Sequence, residues 1–174
     1  MTQASDRALT STAQNTELFP PAVQRVAQAL QILEPAPVPF MLEIQARTAQ
    51  EAADALGVQL GQIAKSVVFQ RVADAAPVLV ITAGDRRVDE AKVTALLGTI
   101  GKANAQFVKS RTGFVIGGVA PVGHLEPPMA LLDASLQRFA SIWAAGGDAR
   151  ALVELTPESL EAATGAPWAD VICD

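Results

Sequence analysis

Residues 63–82 read IAKSVVFQRVADAAPVLVIT, and the parsing of this stretch decides the fold class. Residues 63–69 are rich in β-branched and aromatic side chains and read as a strand. Residues 77–82 read as a second strand, and residues 71–76 as the loop of their hairpin. Working outward, helices interrupt further strands singly, without a regular βα alternation. The expected class is therefore α+β, a single domain of residues 18–174 around a mixed, largely antiparallel sheet with surrounding helices.

Upstream, Pro20 and Pro21 open a helix whose apolar positions Val23, Val26, Ala27, Leu30 and Leu33 recur at helical spacing. Pro35, Pro37 and Pro39 end it and lead to a first strand at Phe40, Met41, Leu42 and Ile44. Thr48 and Glu51 form a capping box for a short helix with Ala52, Ala53 and Leu56 on one face, stopped by Gly57. Downstream, Asp89 caps a helix to Leu97, with Val93, Leu96 and Leu97 inward and Gly98 as its stop. A short strand at residues 103–105 and a helical turn at 107–111 follow. Strands are expected at 129–132, 141–144, 151–155 and 168–172, with a helix opened by Thr156-Pro157-Glu158 and ended by Gly165. Residues 1–17 are polar and aperiodic, and are expected to be disordered.

Half of the 174 residues are hydrophobic, enough for one sizeable core. No apolar run approaches the roughly 20 residues that span a bilayer, and no apolar leader core is present, so a cytoplasmic protein without membrane contact is expected. The one cysteine, Cys173, excludes an internal disulfide, and with a single histidine a His/Cys metal site is not expected; no metal or cofactor is assigned. The formal charge of −5 argues against bulk coating of nucleic acid. Residues 62–124 nevertheless hold eight basic residues against four acidic ones, a locally positive surface on which a small polyanionic end could dock.

Within that block lies GFVIGGVAPVGH, residues 113–124, with four glycines and the only histidine. Phe114, Val115 and Ile116 read as a buried strand running into a glycine-rich turn. Gly117, Gly118, Val119, Ala120 and Pro121 form either a plain tight turn or a concavity of backbone N–H groups that holds an anion or a carbonyl. Lys65 is either a lysine snorkelling from a strand end or a point charge for a phosphate or carboxylate. Ser66 and Thr112 either cap locally or donate to a ligand, Asp133 either caps a loop or orients a ligand amine, and Gly123 and His124 close the turn. Standard phosphate-loop, dinucleotide, zincin and serine-hydrolase motifs are absent. With one imidazole and no tyrosine, catalysis would rest on His124 as base, or on positioning, backbone donors and a group of the substrate.

Four segments, LGVQLGQIAKSVVF (56–69), AGDRRVD (83–89), TGFVIGGVAPVGH (112–124) and LTPESLEAATGAPWADV (155–171), together resemble one family. It is the YbaK/EbsC family of free-standing aminoacyl-tRNA deacylases, related to the editing domain inserted in bacterial prolyl-tRNA synthetases. The resemblance covers residues 20–171, and the lysine of IxKSxVF, the GxxxP loop and the following PxGH are its most specific pieces. It implies a sheet curled toward a barrel, and hydrolysis of the ester that joins a wrong amino acid to the tRNA acceptor end, with cysteine or alanine on tRNA for proline as expected substrates. Lys65 would hold the tRNA 3′ end. Gly117 to Pro121 would offer N–H groups to the ester carbonyl, with Gly118 where substrate approaches the backbone. No metal is implied, and the terminal ribose 2′-hydroxyl would help activate water. No catalytic role is carried onto His124. The acidic total charge suggests help from an aminoacyl-tRNA synthetase or elongation factor. A reading from another class is a non-catalytic module of the same fold that docks on a synthetase or a nucleotide-like ligand.

Overall fold

The computed structural model describes residues 18–174; the expectation for residues 1–17 lies outside the described residues. Among the described residues five helices, α1 (Pro21–Ala29), α2 (Ala49–Leu56), α3 (Glu90–Leu97), α4 (Ala105–Thr112) and α5 (Pro157–Thr164), surround one mixed sheet. Its strands are β1 (Phe40–Met41), β2 (Ile63–Arg71), β3 (Pro77–Ala83), β4 (Ile100–Lys102), β5 (Met129–Asp133), β6 (Ile142–Ala145), β7 (Ala151–Leu155) and β8 (Trp168–Ala169). They run in the order β1-β7-β6-β2-β3-β5-β8, with β4 also on β2, so the sheet is not closed into the barrel toward which the resemblance pointed.

The hairpin is the centre of this sheet. Lys65 pairs with Thr82 and Phe69 with Val78 in antiparallel register, while β5 runs parallel to β3 and β6 parallel to β2. Every residue of β3 is buried, as an apolar run between two neighbours with both faces covered must be. Strand alternation divides it: Leu79 and Ile81 join a core with Val26 of α1, Leu30 just after it and Phe114, whereas Val78 and Val80 pack with Val93 and Val171 on the opposite face. Each such side chain contributes about 1.5–3 kcal/mol of burial.

Local chemistry explains where expectation and structure differ. Thr48 accepts from the Glu51 N–H as a cap should, but the Glu51 carboxylate takes the Arg47 N–H, so the box is shifted by one residue. The first strand is only two residues long, and Ile44 and Leu96 are exposed. The strand expected at 103–105 lies at Ile100–Lys102, because Asn104 accepts from the Phe107 N–H and starts α4 there. The final strand stops at Ala169, with Ile172 reduced to an isolated bridge to Val88.

The largest correction concerns residues 114–116, which form no strand. Helix α4 runs on to Thr112 and ends at Gly113, whose φ of +79° turns the chain out of the helix. Only Phe114 then points inward. Val115 is 51% exposed and Ile116 62% exposed. The glycine-rich segment is thus a loop between α4 and β5.

Candidate functional site

Strand β2 has an incomplete outer edge. Its pairing with β6 ends at Ala64–Ala144, and its pairing with β4 begins only at Phe69–Lys102. The carbonyl of Ile63 accepts from Gly84 and the N–H of Arg71 donates to Ala76, so the odd-numbered residues turn their backbone groups toward β3. Backbone direction alternates in an antiparallel pair, and therefore Ser66 and Val68 present theirs to the gap. A cavity of about 280 Å³ occupies this notch, lined by Lys65 and Ser66 from β2, Ile116, Gly117 and Val119 from the glycine-rich loop, and Arg47 ahead of α2.

Among the described residues, the Lys65 ammonium makes no hydrogen bond or ion pair. Burial lowers the pKa of its ammonium, and Asp85 and Asp133 offset this by their charge. A cation held partly desolvated with no hydrogen-bonded partner is prepared for an anionic ligand. Ser66 is the second uncommitted group: its Oγ is buried and has no partner. Such an orphaned hydroxyl costs a fold about 1–3 kcal/mol, which a ligand able to bond it would recover.

The loop supplies backbone donors. A turn is closed by Gly118 N–H donating to Val115 O at 3.0 Å, so the Gly118 amide is occupied. Pro121 has no N–H at all. The amides of Gly117, Val119 and Ala120 donate to no acceptor among the described residues. Gly117 has φ +94° and faces open space, whereas a Cβ on Gly118 would lie 2.9 Å from Cα of Asp148. The close-approach role expected of Gly118 thus belongs to its packing against the 146–150 turn; open space for a ligand lies at Gly117.

Arg25 of α1 fastens both ends of this loop. Its Nε donates to Gly123 O at 3.2 Å and its Nη2 to Gly113 O at 3.1 Å, with the guanidinium 5.1 Å from the Phe114 ring centroid. Arg25→Ala is expected to lower the unfolding free energy by about 1–3 kcal/mol through two lost bonds and a lost cation–π contact. Denaturant unfolding checks this, and unchanged stability would show that the clamp holds nothing.

The remaining residues singled out from sequence are placed elsewhere. Thr112 is buried, its hydroxyl donating to Val108 O at 2.6 Å and accepting from the Phe114 N–H at 3.0 Å, which makes it a helix-end cap. The buried Asp133 carboxylate accepts from Thr82 Oγ1, Ala83 N and both the N–H and hydroxyl of Ser135, so it braces β3 against the 134–138 turn. Pro121, Gly123 and His124 line a different cavity of about 250 Å³, beside Ala29 and Ala163. The loop therefore separates two cavities, and only its Gly117–Val119 side joins Lys65 and Ser66.

His124 Nε2 bonds Ala120 O at 2.6 Å and its ring meets Phe114 edge-on at 5.2 Å. Burial, with Arg25 adding repulsion, lowers its pKa below the ordinary 6.5, against the opposing bond to Ala120. The unfolded chain then binds this proton at higher pH than the folded one, so the stability that neutral His124 gives is complete above about 6.5 and lost as pH falls below it. Thermal unfolding from pH 7 to 5 is expected to be less pH-dependent in His124→Gln than in the wild type; identical profiles would reject this linkage.

Charge is also redistributed. Of the central block, Arg71 pairs with Asp74, Lys92 with Asp170 and Asp174, and Arg111 with Glu126. Lys65, Arg86, Arg87, Lys102 and Lys109 have no ion pair among the described residues. Arg25 and Arg47 were not legible as site residues, since neither lies in a motif. The orphaned amides likewise depend on how the loop folds. Among the described residues no helix is long and apolar enough to cross a membrane, and no three His, Cys, Asp or Glu side chains are grouped to hold a metal ion.

Comparisons with known proteins agree with this architecture. A family model described as an aminoacyl-tRNA editing domain matches residues 43–163. YwhH of Bacillus subtilis, itself uncharacterized, is 36% identical over 134 residues, covering 76% of this chain and 85% of its own. EbsC of Enterococcus faecalis, described as a candidate Cys-tRNA(Pro)/Cys-tRNA(Cys) deacylase, is 24% identical over 126 residues, 71% of this chain and 76% of its own. A crystal structure of a candidate trans-editing enzyme for prolyl tRNA synthetase superposes with a TM-score of 0.83 at 40% identity, over 90% of this chain and 99% of that one.

Proposed function

The chain belongs to the aminoacyl-tRNA editing domain family, and on that premise we propose that it hydrolyses the ester of misacylated tRNA, with alanine or cysteine on tRNA for proline as its substrates. The observation that carries this reading is the convergence of an uncommitted ammonium, Lys65, with the unbonded amides of Gly117 and Val119 around one notch.

In this reading the Lys65 ammonium holds a phosphate at the 3′ end and so sets the terminal ribose at the mouth of the notch. The ester carbonyl oxygen turns toward the loop amides. Water adds to the carbonyl carbon, and the negative charge that develops on oxygen is met by fixed N–H dipoles. The carbon–oxygen bond to the ribose then breaks, the leaving oxygen takes a proton, and the free amino acid departs as its carboxylate. The ribose 2′-hydroxyl lies beside the ester in any such substrate and orients the attacking water. His124 opens on the other cavity, with Nε2 engaged by Ala120, which supports a reaction without a protein base. Small and apolar groups, including Ala46, Ala49 and Val119, suit a short amino-acid side chain.

The test is a panel of tRNAs charged with cysteine, alanine, serine, threonine and proline, incubated with the protein and a metal chelator. Faster release of alanine or cysteine than of proline is the expected outcome; no release from any of them would reject the reading. Because three of the central bases are neutralised by carboxylates, intrinsic tRNA affinity is weak in this reading, and adding a synthetase or elongation factor at fixed salt should raise the rate.

A further inference from the structure

We propose that Ser66 is the residue that recognises the α-amino group of the aminoacyl ester, its backbone carbonyl and side-chain hydroxyl acting together as acceptors in the notch between β6 and β4. This rests on the deacylase reading above and adds a recognition element to it: the protein acts on esters with a free α-amino group and rejects N-blocked ones.

Three observations converge on Ser66. Its backbone groups point into the gap, since the pairing of β2 with β6 ends at Ala64 and that with β4 begins at Phe69. Its hydroxyl is buried and unpartnered while the residue lines the cavity. The other two buried side-chain atoms without partners among the described residues, His124 Nδ1 and Trp168 Nε1, belong to residues that do not line this cavity. An amino group brings two or three N–H donors and requires acceptors, whereas the uncommitted N–H groups of Gly117 and Val119 on the loop are donors. The orphaned hydroxyl of Ser66 and its backbone carbonyl at the unpaired edge of β2 are acceptors of the kind the amine needs. The nearby carboxylates Asp85 and Asp133, whose charges act on Lys65, also favour a cation in this region. An aminoacyl ester placed with its carbonyl oxygen on the loop amides and its amine on Ser66 satisfies both edges of the notch at once. An N-acyl group would convert the amine to an amide with one donor and added bulk, and would lose that match.

The experiment compares the wild type and Ser66→Ala on alanyl- and cysteinyl-tRNA for proline and on the N-acetylated form of each, every rate corrected for uncatalysed hydrolysis at the same pH. The wild type is expected to prefer the free-amine ester by about 100-fold or more, and Ser66→Ala to lose about tenfold on that ester while its rate on the N-acetyl ester stays put, the loss typical of one hydrogen bond to a charged group. Equal wild-type rates on free and N-acetylated esters would overturn the inference and leave the deacylase reading standing. So would an equal slowing of both esters by Ser66→Ala, which would mark a distortion of the notch. If the wild type cleaves no ester, the deacylase reading fails and this inference with it. The wild-type comparison decides the matter even where Ser66→Ala fails to fold.

Discussion

Lys65→Ala is expected to lower kcat/KM for deacylation by about 10²-fold, the loss that follows when a group that positions the substrate is removed and the reacting atoms are misplaced. The same variant should melt at or above the wild-type temperature. The reason is the sign of its perturbed titration. Burial lowers the Lys65 pKa, so the folded state holds the charged form less comfortably than water does. The unfolded chain therefore keeps its proton to higher pH, and below the folded-state pKa the penalty of holding the ammonium is fully present. Removing the side chain removes that penalty, and with no hydrogen bond or ion pair among the described residues to lose, only the smaller attraction of Asp85 and Asp133 offsets the gain. A buried lysine kept only for packing would behave in the opposite way, with stability falling and activity following it. Measuring kcat/KM and thermal unfolding on one preparation separates the two. A variant that hydrolyses misacylated tRNA at the wild-type rate would remove Lys65 from the site altogether.

Much of the fold was legible because its elements carry local signals. The hairpin of β2 and β3, the Thr48 and Thr156 caps and the left-handed glycines at 57 and 165 all follow from neighbouring residues, and all are found where expected. Long-range pairing was not legible. Nothing between Lys65 and Val68 says that neither β6 nor β4 will cover that edge, since this depends on where strands more than thirty residues away begin and end. The misreading of residues 114–116 has the same origin. Three apolar residues in a row carry a strand signal, but Thr112 and Gly113 end α4 just before them, and only Phe114 then reaches the core. Val115 and Ile116 are left outside, with Ile116 at the wall of the Lys65 cavity. Clustered singletons behaved likewise: His124 lies next to the loop in sequence but opens on another cavity, while Arg25, 88 residues before Gly113, holds the loop in place.

The two adjacent glycines, Gly117 and Gly118, should separate ligand approach from packing. In Gly118→Ala the new methyl would lie 2.9–3.0 Å from the N, Cα and C atoms of Asp148, a backbone that has no rotamer with which to yield. Either the loop or the 146–150 turn must move, at about 1–3 kcal/mol of stability, as for other overpacked sites. Movement of the loop displaces the Gly117, Val119 and Ala120 amides, and an oxyanion donor misplaced by that much is worth about 10²-fold in rate. Gly118→Ala is thus expected to lose both stability and deacylation. Gly117→Ala meets no atom within 4 Å, and its cost to the fold is the strain of a side chain at φ +94°, on the order of 1–3 kcal/mol. Its methyl, however, would project into open space at an exposed position beside the cavity, where the ester is placed in the proposed reaction. A second substitution, Ala120→Gly, which removes a buried methyl and loosens the loop without adding volume, calibrates how much activity is lost to disturbance of the loop without obstruction. If Gly117→Ala keeps wild-type kinetics while Gly118→Ala is impaired, the loop is needed only as packing, and the carbonyl lies elsewhere; impairment of Gly117→Ala beyond the Ala120→Gly loss places the substrate against it.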